Sequence, residues 1–173
     1  MNTKLIKCTS QPPNLGRLLQ KRDISVSDTP NGCVKCNKSN CGTCPYILET
    51  DTVYFHNIFT KETFNFKLLR SFSCTSKQVI YKITCKGCGQ FYIGQTVYLR
   101  NRVTGHKSGL RYEYNRNMKV HRHIHDCAAN DHEFPFTIVP FYFVRQGTLT
   151  ARLTIEEYFR HKFGATLNEK QNG

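Results

Sequence analysis

Two short runs with the alternating pattern of β-strands lie close together near the middle of the chain, and they limit the folds open to it. Residues 79–84 read VIYKIT and residues 90–94 read QFYIG. Both runs are rich in β-branched and aromatic side chains, as strands require. The five residues between them, CKGCG, form a compact connection. The pair therefore predicts a β-hairpin, with Tyr81 on the first strand and Tyr92 on the second.

Helices and one more strand are predicted after the hairpin. They are a helix with Thr96 as N-cap, a helix at 119–127, a strand at 134–144 and a helix from about Thr148 to Phe163. The first helix is predicted because Leu99, Val103, His106 and Leu110 recur with a period of three to four residues. Pro140 puts the strand at a sheet edge or a bulge, and Gly164 ends the last helix.

The chain divides by composition into three segments. Residues 1–32 read as a basic arm, and simple disorder is an equal alternative because three prolines interrupt them. Residues 33–78 hold a cysteine cluster followed by two β-like runs. Residues 79–173 hold the hairpin and the helices. The predicted fold is α+β: a small three-stranded sheet flanked by helices, preceded by a basic extension that zinc would hold together.

The chain is strongly basic. It has 25 Lys and Arg against 12 Asp and Glu, a formal charge of +13. Such a surface favours a polyanionic partner, most often nucleic acid, over a solvated basic protein without one. No run of about 20 apolar residues exists, which argues against a membrane span. The first ten residues, MNTKLIKCTS, lack an apolar signal core, so we expect an intracellular, reducing location.

Basic side chains are most concentrated between residues 98 and 123. The nucleic-acid contacts predicted there are Arg100, Lys107, Arg111, Arg116, Lys119 and Arg122. Tyrosines at 98, 112 and 114 lie among the charges, which suits contact with a phosphate backbone and stacking on bases. The alternative is a helix face that is merely solvated.

Nine cysteines in 173 residues include three CxxC pairs. In a reducing compartment, pairs with this spacing indicate one or two structural zinc ions. The candidate ligands are Cys33, Cys36, Cys41, Cys44, Cys74, Cys85 and Cys88. We expect Cys41 and Cys44 to share one ion with two distant ligands, taken from Cys85 and Cys88, from Cys36 and Cys74, or from His56. Free buried cysteines are the alternative.

One acidic residue stands out on the last predicted helix. Leu149, Leu153, Phe159 and Phe163 mark its apolar stripe, and Glu156 falls on the same stripe. A carboxylate in that position has to be paired, neutral or bound to a metal. Two explanations remain open: an ion pair with Arg152, one turn earlier, or a site for a hard divalent ion such as Mg²⁺.

The order of these residues resembles the GIY-YIG nuclease superfamily. VIY at 79–81 stands for the first motif, with Val79 in place of the usual glycine, and YIG at 92–94 matches the second. Arg102 and His106 match the helical arginine and histidine, and Glu156 the metal-binding glutamate. Asn168 is the best match for the trailing asparagine, with Asn172 as the alternative. The resemblance covers about residues 74–173.

The upstream half resembles the endonuclease region of Penelope-like retroelements. The order of segments is the same as in those elements: a basic arm comes first, then CxxCxxxxCxxCPYI, and then SFSCTSKQVIYKITCKGCGQFYIGQT. The resemblance implies a nuclear endonuclease that nicks double-stranded DNA. The nick would prime reverse transcription, with a reverse transcriptase of the same element as a partner.

The resemblance also implies a mechanism. One Mg²⁺ or Mn²⁺ ion held by Glu156 would act as a Lewis acid at the scissile phosphate. Tyr81 would help to deprotonate the attacking water, directly or through another water, and Arg102 would stabilise the charge that develops on the phosphate. Tyr92 and His106 would orient water or phosphate, and Asn168 would fix local geometry. The first alternative is a non-catalytic, zinc-dependent nucleic-acid-binding module. The second is a secreted disulfide-rich protein.

Overall fold

The computed structural model describes residues 30–112, 118–128 and 133–168, and this part of the chain has an α+β fold. Its strands are β1 (Gly32–Val34), β2 (Thr52–His56), β3 (Thr63–Lys67), β4 (Ser71–Ser73), β5 (Lys77–Cys85), β6 (Phe91–Tyr98) and β7 (Phe136–Phe143). Its α-helices are α1 (Leu99–Arg111), α2 (Lys119–Ala128) and α3 (Leu149–Phe163), and Cys44–Tyr46 forms one turn of 3-10 helix. The predicted basic arm lies outside the described residues up to position 29.

The predicted hairpin is the centre of the structure. β5 pairs with β6 on one side and with β7 on the other, both antiparallel, so the sheet order is β6-β5-β7. Pro140 lies on the edge strand β7, where the register shifts opposite the Ile80–Tyr81 step of β5. This confirms the expected edge or bulge, because proline has no N–H to give to a second neighbour. Two smaller sheets, β1-β4 and β2-β3, come from the cysteine-rich extension.

The first helix begins later than predicted. β6 continues through Tyr98, whose backbone is extended, and α1 starts at Leu99. The hydroxyl of Thr96 bonds the backbone of Tyr98 and closes a turn at the end of the strand, so it does not cap the helix. The last helix is capped as predicted. Thr148 accepts a hydrogen bond from the amide of Ala151, and Gly164 adopts the left-handed conformation.

The buried face of α3 matches the predicted stripe at Phe159 and Phe163 and differs from it at the two leucines. Leu149 and Leu153 are 57% and 48% exposed. The helix instead buries a stripe rotated by about one residue: Ala151, Arg152, Ile155, Phe159 and Phe163. The aromatic rings of the extension decide this orientation, since Phe55 stacks on Phe163 with ring centroids 3.9 Å apart. The apolar pattern of the helix alone did not show that Leu149 and Leu153 would be left exposed by this packing.

The extension and the hairpin region share one core. Its buried members run from Cys33 and Phe55 in the extension to Ile80 in β5 and Leu167 after α3. Lys82 of β5 connects the two regions, because its ammonium donates to the carbonyl of Tyr54 at 2.6 Å. In the described residues, none of the helices combines the length and apolarity needed to cross a bilayer.

Two glycines of α1 provide a matched test of helix packing. A Cβ at Gly109 would overlap the ring of His121 on α2, whereas a Cβ at Gly105 would meet nothing within 4 Å. We expect Gly109→Ala to lower the free energy of unfolding by about 1–3 kcal/mol, because the His121 ring has to move. Gly105→Ala should raise it by about 0.5–1 kcal/mol, since alanine favours the helix. Denaturant unfolding measures both, and equal effects would contradict the close packing of α1 on α2.

Candidate active site and cysteine clusters

The two motif tyrosines lie side by side on the hairpin. Tyr81 of β5 pairs with Gly94 of β6, and Tyr92 lies two residues before Gly94 on the same face. The two ring centroids are 6.1 Å apart. A Cβ at Gly94 would overlap the hydroxyl of Tyr81 and the ring of Tyr92. The glycine of YIG therefore makes the room in which the two rings meet.

A chain of buried hydrogen bonds starts at Arg102. Its Nε donates to the Tyr81 hydroxyl at 2.8 Å, and that hydroxyl lies 2.9 Å from Nε2 of His106. Nδ1 of His106 in turn lies 2.9 Å from Nε2 of His121 on α2. The sequence predicted the first three residues but not His121. The available signal was the position of His121 directly after the apolar residue Val120, on the short second predicted helix.

Burial keeps this chain neutral apart from Arg102. Desolvation raises the pKa of Tyr81 well above 10, and Tyr92 adds to the rise, while Arg102 opposes it. Desolvation lowers the pKa of His106 well below 6.5, with Arg102 and His121 acting in the same direction. His106 is therefore an uncharged imidazole at neutral pH, and the guanidinium of Arg102 is the fixed charge of the group.

Tyr92, Arg102 and Glu156 line one open cleft of about 430 Å³. It runs along the edge strand β6, between the start of α1 and the middle of α3. Its other lining residues are Gln95, Thr96, Val97, Tyr98, Asn101 and Arg152. Tyr81 does not line it, since this side chain is fully buried (0% exposed). Of the two tyrosines, Tyr92 therefore faces the cleft and Tyr81 lies behind it.

Glu156 has an unusual carboxyl group. Burial raises its pKa from 4.5 to about 7, although Arg160 and Arg102 lower it. Of the two explanations left open for Glu156, the ion pair with Arg152 is not formed: Arg152 donates to the side chains of Gln95 and Gln78 and to a backbone carbonyl. One partly buried carboxylate that lines a cleft with polar walls suits a magnesium or manganese ion that keeps several waters.

Asn168 binds the backbone next to Tyr92. Its Oδ1 accepts from the amide of Ile93 at 2.9 Å, and its Nδ2 donates to the carbonyl of the same residue at 2.7 Å. Both bonds are buried. The predicted role in local geometry corresponds to this contact, because a side chain with one donor and one acceptor replaces a missing strand neighbour at the sheet edge. The alternative, Asn172, lies outside the described residues.

Four cysteines of the extension and of the segment before β5 form the first cluster: Cys36, Cys41, Cys44 and Cys74. Their sulfurs all lie within 4.8 Å of one another, with 3.4 Å between Cys36 and Cys44 and 3.7 Å between Cys41 and Cys74. Zinc–sulfur bonds of about 2.3 Å in a tetrahedron place sulfurs about 3.8 Å apart. This cluster could hold a structural zinc ion. It matches one of the three ligand choices that the sequence left open.

A second cluster joins the hairpin turn to α2. It consists of Cys85, Cys88, His123 and Cys127, again with ligand atoms within 4.8 Å. His123 and Cys127 were missing from the predicted ligands. Their spacing of four residues puts them on one face of a helix, which was the available signal. A Cys₃His set suits structural zinc, so this cluster could hold a second ion.

Two predicted ligands lie elsewhere. Cys33 belongs to neither cluster: it is buried in the core, where burial raises the pKa of its thiol to about 12. Its neighbour in the first CxxC pair, Cys36, belongs to the first cluster, so the two cysteines of this pair do not share a site. His56 is also outside the clusters, and its ring bonds the hydroxyl of Thr63.

Two of the predicted nucleic-acid contacts face the extension. Nη2 of Arg100 lies 3.8 Å from the sulfur of Cys74, and Nζ of Lys107 donates to the carbonyl of Gly42 at 3.2 Å. These contacts hold α1 against the first cluster. Lys119 donates to the carbonyl of Thr166, while Arg111 and Arg122 are exposed. Arg116 lies outside the described residues.

Comparisons of the chain with protein-family models, with curated proteins and with solved structures find no match. The function is therefore inferred from the chemistry of the cleft and of the clusters.

The pKa of Glu156 predicts a pH-dependent stability. The folded protein binds a proton at this carboxyl between pH 4.5 and about 7, where the unfolded chain does not. Ionisation therefore removes stability as pH rises through this interval. In buffer without Mg²⁺ or Mn²⁺, we expect Glu156→Gln to be more stable than wild type at pH 8, by up to about 3 kcal/mol. Thermal melts should show the difference vanishing below pH 4, and a constant difference would contradict the shifted pKa.

The clusters predict two zinc ions per chain. Cys74→Ser should leave one, because the first cluster loses a ligand, and Cys85→Ser should leave one for the same reason at the second. Cys33→Ser is the matched control and should retain both ions. Elemental analysis after dialysis measures zinc content. Two ions in either cluster variant would show that the cysteines are not ligands.

Proposed function

We propose that this protein is a divalent-metal-dependent endonuclease that nicks one strand of DNA by hydrolysis. The observation that carries the proposal is the cleft itself. A phenol, Tyr92, a guanidinium, Arg102, and a carboxyl group, Glu156, come from three different elements and share its wall. A cation that stabilises anionic phosphorus, a carboxylate for a metal and a hydroxyl that orients water are the groups that phosphodiester hydrolysis uses.

Arg102 is the group best prepared to bind the scissile phosphate. Its Nε is fixed by Tyr81 at 2.8 Å, and Nη2 lies 3.7 Å from the sulfur of Met118. The guanidinium is therefore held through Nε and Nη2, while the arginine side chain lines the cleft. A cation fixed in this way stabilises negative charge that develops during reaction without reorganising at that moment.

The two tyrosines have different roles in this proposal. Tyr81 is sealed in the core, so it acts through Arg102 and does not meet the attacking water. Tyr92 is 6% exposed and reaches the cleft. Burial and the carboxylate of Glu156 raise the pKa of Tyr92, so its hydroxyl stays protonated and can orient water or a phosphate oxygen. This assignment replaces the predicted role of Tyr81 as the base.

Glu156 would hold the divalent ion. When bound, Mg²⁺ or Mn²⁺ would supply Lewis-acid polarisation of a phosphodiester oxygen. Burial raises the pKa of Glu156, which means that the surrounding residues compensate its carboxylate only in part, and a cation is the partner that relieves this. Asn168 holds β6 at Ile93 and thereby fixes Tyr92 opposite Glu156.

We further propose that the nuclease is of the GIY-YIG type, from a Penelope-like element acting in the nucleus. The order of Tyr81, Tyr92, Arg102, Glu156 and Asn168, and their position around an antiparallel sheet of three strands, support this. The nick would supply the 3′ hydroxyl for reverse transcription by a partner enzyme. Zinc in the two clusters would be structural, because thiolate-rich sites suit zinc and not the hydrolytic ion.

The second candidate is a nucleic-acid-binding module without catalysis. The charge of +13 and the two clusters favour it equally. It does not require Tyr92, Arg102 and Glu156 to share a cleft, which is why the nuclease ranks first.

Nicking of supercoiled plasmid separates the two functions. Glu156→Gln should lower the nicking rate by at least about 100-fold, because the hydrolytic ion loses its carboxylate. Glu157→Gln is the matched control: the same change, one position along α3, on a carboxylate that pairs with His161 outside the cleft. It should nick at nearly the wild-type rate.

The assay runs with Mg²⁺ and with Mn²⁺, beside a DNA-binding measurement. Wild type that binds DNA and nicks with neither ion would favour the binding module. Equal rates for the two glutamine variants would remove Glu156 from the mechanism.

A further inference from the structure

One cation beside the cleft has no acid partner within residues 30–112, 118–128 and 133–168. The side chain of Arg152 on α3 is 6% exposed. Its Nε donates to Gln95 at 2.8 Å, and its Nη1 donates to Gln78 at 2.6 Å and to the carbonyl of Gly147. All three acceptors are neutral. No carboxylate in the described part of the chain forms an ion pair with this guanidinium.

A buried cation with neutral partners only is costly to maintain. Hydrogen bonds to amide oxygens satisfy the donors at Nε and Nη1 but leave the charge uncompensated, and burial removes most of the water that would otherwise screen it. Buried arginines are ordinarily paired for this reason. Packing alone does not account for the residue, since Leu or Met would fill the same space without the charge. The arrangement suits a group that receives its counter-charge from outside the protein.

The guanidinium keeps one nitrogen, Nη2, without a partner among the described residues. Nη2 carries two N–H donors and makes no hydrogen bond with any described residue. It is also not among the fully buried atoms that lack a partner in those residues. Arg152 lines the same cleft as Arg102 and Glu156. We infer that the two free donors are available to a ligand in the cleft, one helical turn before Glu156.

We propose that Arg152 forms a second anion subsite, which binds a backbone phosphate of the nucleic acid next to the one held by Arg102. The identity of the occupant rests on the proposed function. The need for an anion rests on the geometry of Arg152 alone. The planar guanidinium presents donors that match two phosphate oxygens. Its positive charge also repels the divalent ion, so Arg152 would bind phosphate while Glu156 binds the metal. It sets the path of the strand through the cleft.

Gln78→Glu tests the subsite without altering the cleft wall. Gln78 does not line the cleft, yet its side-chain oxygen lies 2.6 Å from Nη1 of Arg152. A carboxylate there neutralises the guanidinium from behind. Asn65→Asp is the matched control: the same change of charge on an exposed position of β3 that does not line the cleft.

Fluorescence anisotropy with a labelled DNA duplex, without Mg²⁺ or Mn²⁺, measures the effect independently of nicking. We expect Gln78→Glu to weaken binding roughly tenfold and to flatten the salt dependence by about one phosphate contact. Asn65→Asp should change the affinity less than about twofold. Equal losses for the two variants, or none for Gln78→Glu, would overturn the subsite. A protein that fails to nick yet shows the expected difference would refute the proposed function and keep the inference.

A second measurement uses the unaltered protein. The side-chain Nε–H resonance of Arg152, assigned by its loss in Arg152→Lys, should shift saturably when inorganic phosphate is added at constant ionic strength. Chloride should not move it. No shift with phosphate, or the same shift with chloride, would show that the guanidinium is only structural.

Discussion

The structure depends on how the hydroxyl of Tyr81 is satisfied. This ring lies on the central strand of the sheet and is fully buried, so its hydroxyl needs partners inside the protein. Arg102 and His106, one turn apart on α1, supply them, and Gly94 leaves room for the ring. The same bonds that solve a folding problem fix the guanidinium of Arg102 at the cleft. A core requirement thus sets the geometry of the candidate site.

The two cysteine clusters lie at the two ends of the same strand. Cys74 comes three residues before β5, and Cys85 is its last residue. Zinc at both clusters would clamp the strand that carries Tyr81, at one end to the extension and at the other to α2. Arg100 and Lys107 add contacts between α1 and the first cluster region. Zinc ions and side-chain contacts of this kind would make the small sheet more rigid than its limited core could make it alone.

Much of the local structure could be predicted from the sequence. Strand alternation gave the hairpin, helical spacing gave α1, and Thr148 and Gly164 marked the ends of α3 to within a residue. These signals work because they depend on neighbours in the chain. The start of α1 was placed too early at Thr96, because a threonine hydroxyl closes a strand-end turn as readily as it caps a helix.

The chain by itself determined which reactive side chains stand on which elements. Only the tertiary structure decided which of them meet. It put Tyr92, not Tyr81, at the cleft and grouped Cys85 and Cys88 with His123 and Cys127. It also gave Arg152 only neutral partners among the described residues. The physical reason is that burial and pairing arise between segments far apart in sequence. A pattern read along one helix shows which faces exist, whereas the packing of the whole core selects the face that is buried.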